Sequence, residues 1–252
     1  MRNIKLTLEY DGERFLGFQR QPGKRTVQSE LEKAFRRIFR KKIKISSASG
    51  RTDAGVHAKG QVVNFKMDSS IPARNIQRAL NTYLPEDLSV REAKEVPENF
   101  HARFLAKTKH YEYAVWNSKA RSPLKRNYSY HFPYKLNINL MKKAASDLIG
   151  KHNFRSFQAQ ANSNGKNSAR TIYRLQITKQ GNEVRFLVEG DGFLYNMVRN
   201  MVGTLLMVGI RKISLDKFKQ IFKKHDRRHI GFTAPAHGLT LFDVKYKKTN
   251  IS

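Results

Sequence analysis

Cysteine is absent from this chain of 252 residues, and its absence excludes disulfide bonds and zinc sites built on thiolates. Acidic residues are scarce: 20 Asp and Glu stand against 49 Lys and Arg, which gives a formal net charge of +29 at pH 7. A charge excess of this size produces a strong positive potential over the surface of a folded protein. We therefore expect the partner to be a polyanion.

Long hydrophobic runs are also missing. The longest largely apolar stretch, Met201 to Ile210, is well short of the roughly 20 residues that a membrane-spanning helix needs. Lys5, Glu9 and Asp11 interrupt the start of the chain, where a secretory signal would need an apolar segment. These features predict a soluble, cytoplasmic protein with no membrane partner. Hydrophobic residues at 39% and aromatic residues at 11% supply a core and argue against intrinsic disorder.

Two hydrophobic periods predict the fold class. Residues Ile4 to Tyr10 alternate between apolar and polar as in a half-buried strand, and apolar residues recur at helical spacing within Val27–Phe39 and Leu194–Leu206. Strands and helices mix in this way through both halves of the chain. This pattern predicts an α+β protein of two domains, each a mainly antiparallel sheet with helices on one face. We place the domains at residues 1–105 and 106–252.

The other elements follow from the same periods and from the turn residues between them. We predict further strands at 43–48, 61–65, 111–116, 171–178, 184–188 and 239–246, and further helices between Pro72 and Pro85, at 139–149 and at 215–224. The polar segment Gln158–Ser168 and the basic segment Lys119–Arg126 are typical of exposed connections. If the partner is RNA, their charge and polarity suit contact with its backbone.

Two familiar sites are excluded, one by its spacing and the other by its intervening residues. The segment from Gly17 to Lys24 resembles a phosphate-binding loop, but it has five residues between its glycines where that motif requires four. His225 and His229 are four residues apart, as metal ligands on a helix can be, but the residues between them lack the usual glutamate and add two arginines. We expect a surface pair of histidines there and no metal site.

The turn-rich segment Ser49–Ala58 departs from its surroundings. It places Asp53 between Gly50 and Gly55, directly after a predicted strand, in a chain that has few carboxylates. Two interpretations are open from the local chemistry. Asp53 either hydrogen-bonds its own backbone in a turn, which is the commoner role of such a residue, or it serves as a catalytic carboxylate.

A resemblance to a known family decides between these interpretations. Residues Gly50–Ala58, followed by Gly60–Val62, resemble the active-site signature of the bacterial tRNA pseudouridine synthase A family. Other segments resemble that family in the same order: Tyr10–Gln19, Thr26–Gln28, Phe100–Phe104, Lys109–Tyr113, Gly192–Arg199 and Thr233–Leu239. The resemblance covers nearly the whole chain. It implies the pseudouridine synthase fold, in which two pseudo-symmetric domains join into an extended sheet with a basic cleft, and it makes Asp53 the expected catalyst.

The family's activity is the isomerisation of uridine to pseudouridine in RNA. The resemblance implies tRNA as the substrate, with modification at positions 38, 39 and 40 of the anticodon stem-loop. It further implies a homodimer, and it implies neither a metal nor any small-molecule cofactor. In this reading, exposed cations such as those from Arg36 to Lys42 hold the RNA backbone without reading its sequence.

The resemblance also assigns roles to individual residues. Asp53 matches the essential aspartate, which acts as nucleophile or base; attack at C1′, addition to C6 and removal of the 2′-proton are left open. Arg199 matches an arginine that pairs with this carboxylate. Tyr111 matches a tyrosine that stacks on the target base and helps to remove the C5 proton. Arg51 matches the residue that enters the space left by the flipped nucleotide, and His57 is expected among the substrate-binding residues with Tyr111 and Arg51.

Rival functions remain to be weighed. Met207 stands where related sequences often have glutamate, and the net charge is high for the family, so another structured RNA is an alternative substrate. A non-catalytic RNA-binding protein of the same fold is a second alternative, although the presence of Asp53, Tyr111 and Arg199 together argues against it. A metal-dependent nuclease is a third, but it would need clustered carboxylates, and the signature offers only Asp53.

Overall fold

The computed structural model describes residues 1–159, 168–224 and 230–247. Contacts divide the chain into two compact units: Met1–Lys107 with the chain from Leu241 onward, and Thr108–Thr240. The sequence-based division at residues 105 and 106 stays a prediction about domains. In the structure, the end of the last strand belongs with the first unit.

The first unit is a sheet with two helices. Its strands are β1 (Arg2–Tyr10), β2 (Ser47–Ala48), β3 (His57–Met67) and β4 (Leu88–Val96), its helices are α1 (Val27–Phe39) and α2 (Ala73–Tyr83), and the last strand, β10 (Leu239–Tyr246), enters it from Leu241. β1 lies between β3 and β4 and is antiparallel to both, and β2 pairs with β3. Ile4, Leu6 and Leu8 are fully buried, as their alternation predicted.

Helix α1 has the bounds that the sequence predicted. Thr26 begins it, because the Thr26 side chain accepts a hydrogen bond from the Ser29 amide while the Ser29 side chain caps Thr26 in return. Arg40 ends it in a left-handed conformation. Leu31 and Phe35 lie fully buried in the core, and the opposite face is cationic and exposed over Arg36, Arg37, Arg40, Lys41 and Lys42.

Among the described residues, the second unit contains further β-strands and three α-helices. Its strands are β5 (Ala106–Trp116, from Thr108), β6 (Tyr130–His131), β7 (Gly150–Asn153), β8 (Ala169–Gln180) and β9 (Glu183–Gly190), and its helices are α3 (Ile138–Ser146), α4 (Met197–Gly209) and α5 (Leu215–Lys224). The strands β5, β9, β8 and β7 follow one another as antiparallel neighbours, and β6 runs parallel to β5. The predicted α+β class and mainly antiparallel pairing are confirmed.

Several predicted elements differ from the structure. The predicted strand at 43–48 is reduced to Ser47–Ala48, because only these residues pair with β3. The helix predicted from Leu194 begins at Met197, because Asn196 has φ 57° and cannot continue a right-handed helix. The short strand β7 was missed, since Gly150–Asn153 carries no apolar alternation.

Helix α4 was predicted as an amphipathic helix with one apolar stripe. In the structure it is buried on nearly every side, including Asn200, Gly203 and Thr204. A helix surrounded by protein can carry buried polar groups only if they are hydrogen-bonded. Asn200 donates to the Phe157 carbonyl and Thr204 donates to the Asn200 carbonyl, each at 2.7 Å.

The segments predicted as loops fall partly within the description. Lys119–Arg126 is an exposed connection, as predicted, with one short 3-10 turn at Pro123–Lys125. Most of Gln158–Ser168 lies outside the described residues, and so do His225 and His229. Within the described residues, no helix has the length and apolar character needed to cross a membrane.

Candidate active site

Asp53 lies on a loop between β2 and β3, which we call the Asp53 loop (residues 49–56). The segment that follows β1 holds this loop through the main chain. The Phe18 amide donates to the Thr52 carbonyl at 3.1 Å, and the Gly55 amide donates to the Phe15 carbonyl at 3.2 Å. The two segments are far apart in the sequence, so the position of Asp53 depends on tertiary contacts as well as on its own motif.

Two glycines make this close approach possible. A Cβ atom at Gly12 would lie 2.1 Å from the Val56 carbonyl oxygen, and one at Gly17 would lie 2.9 Å from the Thr52 carbonyl oxygen. Gly17 also has φ +84°, a conformation that side chains rarely adopt. The glycines of the segment Tyr10–Gln19 therefore serve to seat the Asp53 loop.

The substitution Gly12→Ala tests this seating. We expect it to destabilise the protein by about 3 kcal/mol, because the clash is with backbone that cannot rotate away. We also expect turnover to fall about 100-fold, because a shift near 1 Å at a reacting group has that effect. Urea unfolding and a turnover assay measure the two quantities.

Gly23→Ala is the matched control for this prediction. Gly23 has φ +65°, but nothing lies within 4 Å of an added Cβ. We expect a loss of about 1 kcal/mol from backbone strain and unchanged turnover. Wild-type turnover in the Gly12→Ala protein would contradict the seating role.

A backbone turn presents Asp53 itself. The Val56 amide donates to the Asp53 carbonyl at 3.2 Å, and Gly55 supplies the positive φ, +78°, that this turn needs at its third position. Because the main-chain carbonyl of Asp53 closes the turn, its formation does not require a carboxylate. The side chain is half-buried.

A buried polar network supports the loop from below. The Tyr10 hydroxyl lies 2.8 Å from the Thr52 hydroxyl. The side-chain amide nitrogen of Gln61 donates to the Gly50 carbonyl at 3.0 Å, and the side-chain oxygen of Gln61 accepts from the Ser49 hydroxyl at 2.6 Å. Burial raises the pKa of Tyr10 to about 12, so the phenol stays protonated at neutral pH. Sequence reasoning missed the role of Gln61, although the residue lies in the segment Gly60–Val62 of the active-site signature.

Arg51 and His57 belong to the same part of the first unit. Arg51 is exposed on the loop. His57 is only 4% exposed, and its Nδ1 lies 3.0 Å from the Gly12 amide nitrogen and 3.1 Å from Asp11 Oδ1. That nitrogen either accepts from the amide or donates to the carboxylate, and in both cases it ties the start of β3 to Asp11–Gly12. The expected substrate-binding role of His57 stays a prediction.

Tyr111 lies in the second unit, on β5 opposite Val188 of β9. Its side chain is buried, with 8% of its surface exposed. The ring of Phe193 meets it edge to face at 5.1 Å, with an interplanar angle of 85°, a favourable arrangement for two aromatic rings. Phe193 therefore orients the tyrosine to which the sequence assigns base stacking.

Arg199 lies in the first turn of α4 and is half-buried, consistent with its predicted place beside the apolar stripe. Oxygen atoms bind two of its guanidinium nitrogens. Nε donates to the Ala234 carbonyl at 2.7 Å, and Nη1 donates to the side-chain oxygen of Asn196 at 2.9 Å. The Ala234 amide donates in return to the Arg199 carbonyl at 3.2 Å.

The segment 231–235, which contains Ala234, is held against α4 and β5. A Cβ at Gly203 would lie 1.8 Å from the Phe232 carbonyl oxygen, so only glycine allows the segment to lie against the helix. The Thr233 hydroxyl donates to the Asn200 side-chain oxygen at 2.7 Å, and the Tyr113 hydroxyl donates to the Pro235 carbonyl at 2.8 Å. Burial raises the pKa of Tyr113 well above its ordinary value, although the nearby Arg199 charge opposes the shift.

In the part of the chain that the structure describes, no group of three or more His, Asp or Glu side chains is arranged to hold an ion. The prediction that neither a metal nor a cofactor takes part stays a prediction.

Comparison with known proteins identifies the family. A family model described as tRNA pseudouridine synthase matches residues 7–105 and 144–247. The chain belongs to the tRNA pseudouridine synthase family. The matched ranges of this family contain Arg51, Asp53, His57 and Arg199, and Tyr111 lies between them.

Individual members of the tRNA pseudouridine synthase family are similar over nearly the full length. The tRNA pseudouridine synthase A of Bacillus subtilis (strain 168) is 48% identical over 244 residues, which cover 96% of this chain and 98% of that protein. The protein of the same name from Acetivibrio thermocellus is 45% identical over 246 residues, which cover 98% of this chain and 100% of that protein. The predicted family is confirmed, and with it the pseudouridine synthase fold class.

A solved structure gives a weaker likeness. A chain of the crystal structure of the archaeal box H/ACA sRNP Nop10–Cbf5 complex is similar over 81% of this chain and 44% of that chain, at 14% identity and a TM-score of 0.34. This likeness adds nothing to the assignment, which rests on the sequence comparisons.

Proposed function

We propose that this protein isomerises uridine to pseudouridine in tRNA, the activity that its relatives' name describes. In this reaction the bond from C1′ to N1 breaks, the uracil turns, and C5 bonds to C1′. C5 loses its proton and N1 gains one, so the atoms balance without an added reactant. The observation that supports this proposal best is the Asp53 loop, in which main-chain hydrogen bonds and a buried polar network hold a carboxylate inside the range matched to the family.

The site residues have the following proposed roles. Asp53 acts in its ionised form as nucleophile or base. The positive charge of Arg199 favours that ionised form, since an opposite charge lowers the pKa of a carboxyl group. Tyr111 stacks on the target base and assists the loss of the C5 proton. Arg51 occupies the space that the flipped nucleotide leaves, and His57 contributes to substrate binding.

The distribution of charge supports an RNA substrate. On the β1 and β4 side of the first unit, cations are paired with acids, as in Arg2 with Glu95 and Lys94 with Glu92. By contrast, the cations of the α1 face, from Arg36 to Lys42, have no acidic partner within the described residues. Unpaired cations can replace the counterions of phosphates. We propose that this face holds tRNA, that the modified uridines are those at positions 38, 39 and 40, and that the protein acts as a cytoplasmic homodimer.

Release of tritium from tRNA labelled at C5 of uridine tests the proposed function. We expect release by the wild type, because C5 must lose its hydrogen when it bonds to the sugar. We expect the modified uridines to lie only at positions 38 to 40. A chelator should leave the rate unchanged, which distinguishes the isomerase from a metal-dependent nuclease.

The other outcomes identify the alternatives. Release from other positions, or from ribosomal RNA in preference to tRNA, would correct the substrate. Tight tRNA binding without any release would contradict the proposal and favour a non-catalytic RNA-binding protein.

A further inference from the structure

Asn196 has an unusual backbone for its position. Its dihedral angles are φ 57° and ψ 9°, the left-handed region that side chains other than Asn, Asp and Gly seldom adopt. In the described part of the chain, two other non-glycine residues have positive φ, Arg40 and Arg211. Both follow the end of a helix, where this conformation is common. Asn196 instead precedes a helix, where the usual backbone is extended.

The side chain of Asn196 is equally unusual. Asn137 occupies the corresponding position before α3, and there the backbone is extended and the side-chain oxygen accepts from the Leu140 amide at 3.0 Å. Asn196 makes no such capping bond to α4. Its side-chain oxygen accepts from Nη1 of Arg199 at 2.9 Å. Asn137 and Asn196 thus occupy the same position before a helix, but Asn137 binds the helix backbone and Asn196 binds an arginine side chain.

With the Ala234 carbonyl, this contact holds the guanidinium at two of its nitrogens. The Ala234 carbonyl binds Nε and Asn196 binds Nη1. A guanidinium is planar, so bonds to two of its nitrogens fix both its position and the orientation of its plane. Two hydrogen bonds in turn hold the main chain at Ala234. The Ala234 amide donates to the Arg199 carbonyl, and the Thr233 hydroxyl donates to the Asn200 side-chain oxygen.

We propose that Asn196 is a positioning residue for the isomerisation, which fixes the guanidinium of Arg199 in one place and one plane. This inference rests on the proposed function, because it assumes that Arg199 acts with Asp53. The left-handed backbone is the structural requirement of this role, since an extended Asn in the same place would cap the helix, as Asn137 does.

Asn196→Gly tests the proposal, because glycine adopts the left-handed conformation without strain and only the amide is lost. We expect the single-turnover rate at saturating tRNA to fall about 10- to 100-fold, as misplacement of a catalytic group does. The Kd for tRNA should change less than about threefold and Tm should change little. Asn137→Ala is the control: it removes a real helix cap, so Tm should fall while the single-turnover rate stays at the wild-type value.

Two further variants separate positioning from a general structural role. Asn196→Asp keeps an oxygen acceptor and tolerates the left-handed backbone, so its rate should lie between those of wild type and Asn196→Gly. Full recovery is not expected, because the added negative charge offsets that of Arg199. In an Arg199→Ala background, Asn196→Gly should slow the reaction by less than about twofold, because the partner that it acts through is already gone.

Each contrary result is distinct. A wild-type rate in Asn196→Gly, a rate of Asn196→Asp at or below that of Asn196→Gly, or an additive loss in the double variant would overturn the positioning role. If the wild type releases no tritium from tRNA while binding it, the proposed function fails and this inference fails with it. If the wild type is active and only the Asn196 results are contrary, the proposed function stands.

Discussion

Asp53→Asn is expected to lower the single-turnover rate of pseudouridine formation by at least about 10³-fold, because an amide can act neither as nucleophile nor as base. Binding of tRNA should change little. The substitution preserves shape, and the turn at residues 53–56 is closed by the Asp53 main-chain carbonyl, so the loop should keep its conformation. Tritium release from C5-labelled tRNA measures the rate, and filter binding measures Kd.

Asp68→Asn is the matched control for this substitution. Asp68 is exposed just after β3, and it lies outside the proposed site. We expect the same change there to leave rate, Kd and Tm at their wild-type values. The catalytic role of Asp53 would be refuted by a rate within tenfold of wild type, and a parallel loss of rate, binding and Tm would indicate a structural role.

The affinity for tRNA is expected to fall steeply with salt. If six to ten phosphates are neutralised, Kd should rise by about 10³- to 10⁵-fold between 50 and 200 mM salt, because each neutralised phosphate releases condensed counterions. The net charge of +29 and the unpaired cations of the α1 face supply the contacts. Kd measured over a salt series gives the slope, and a flat response would contradict the electrostatic interpretation.

Charge removal on two faces shows where the RNA lies. Arg36→Gln with Arg37→Gln should lower the slope by about 2 if each residue contacts one phosphate. Arg91→Gln with Lys94→Gln is the matched control, because it also removes two cations. Arg91 is already paired with Glu9 and Lys94 with Glu92, so the slope should stay within about 0.5 of wild type. Equal effects at the two faces would contradict the assignment of the α1 face to RNA.

Local sequence was sufficient for much of the secondary structure. The bounds of α1 at Val27–Phe39 and of α5 at Leu215–Lys224 agree with their hydrophobic period, because in each helix one apolar face packs on the core. The period was insufficient where pairing decides the outcome. The lysine-rich chain before Ser47 alternates like a strand, yet the strand there is limited to Ser47–Ala48, with one further hydrogen bond from the Ser46 amide to the Asn64 carbonyl of β3.

The candidate site was predictable in its residues and not in its supports. Asp53, Arg199 and Tyr111 stand in motifs of contiguous residues, so a resemblance could point to each. Gln61 and Asn196 lie in the same motifs. Their residue types do not show which side chains of a motif hydrogen-bond to a site residue or its loop and which do not. Their roles became visible only when the partners at Gly50 and Arg199 were placed beside them.

The sequence by itself therefore determined the expected class of partner, the elements with a strong hydrophobic period, and the family with its candidate catalyst. These depend on composition and on residues close together in the chain. Only the tertiary structure decided that Gly12 and Gly17 seat the Asp53 loop, and that Asn196 turns from its helix to Arg199. Such contacts depend on backbone conformation and on interatomic distances that must hold to within a few tenths of an ångström. No pattern of residue types along a chain specifies those distances.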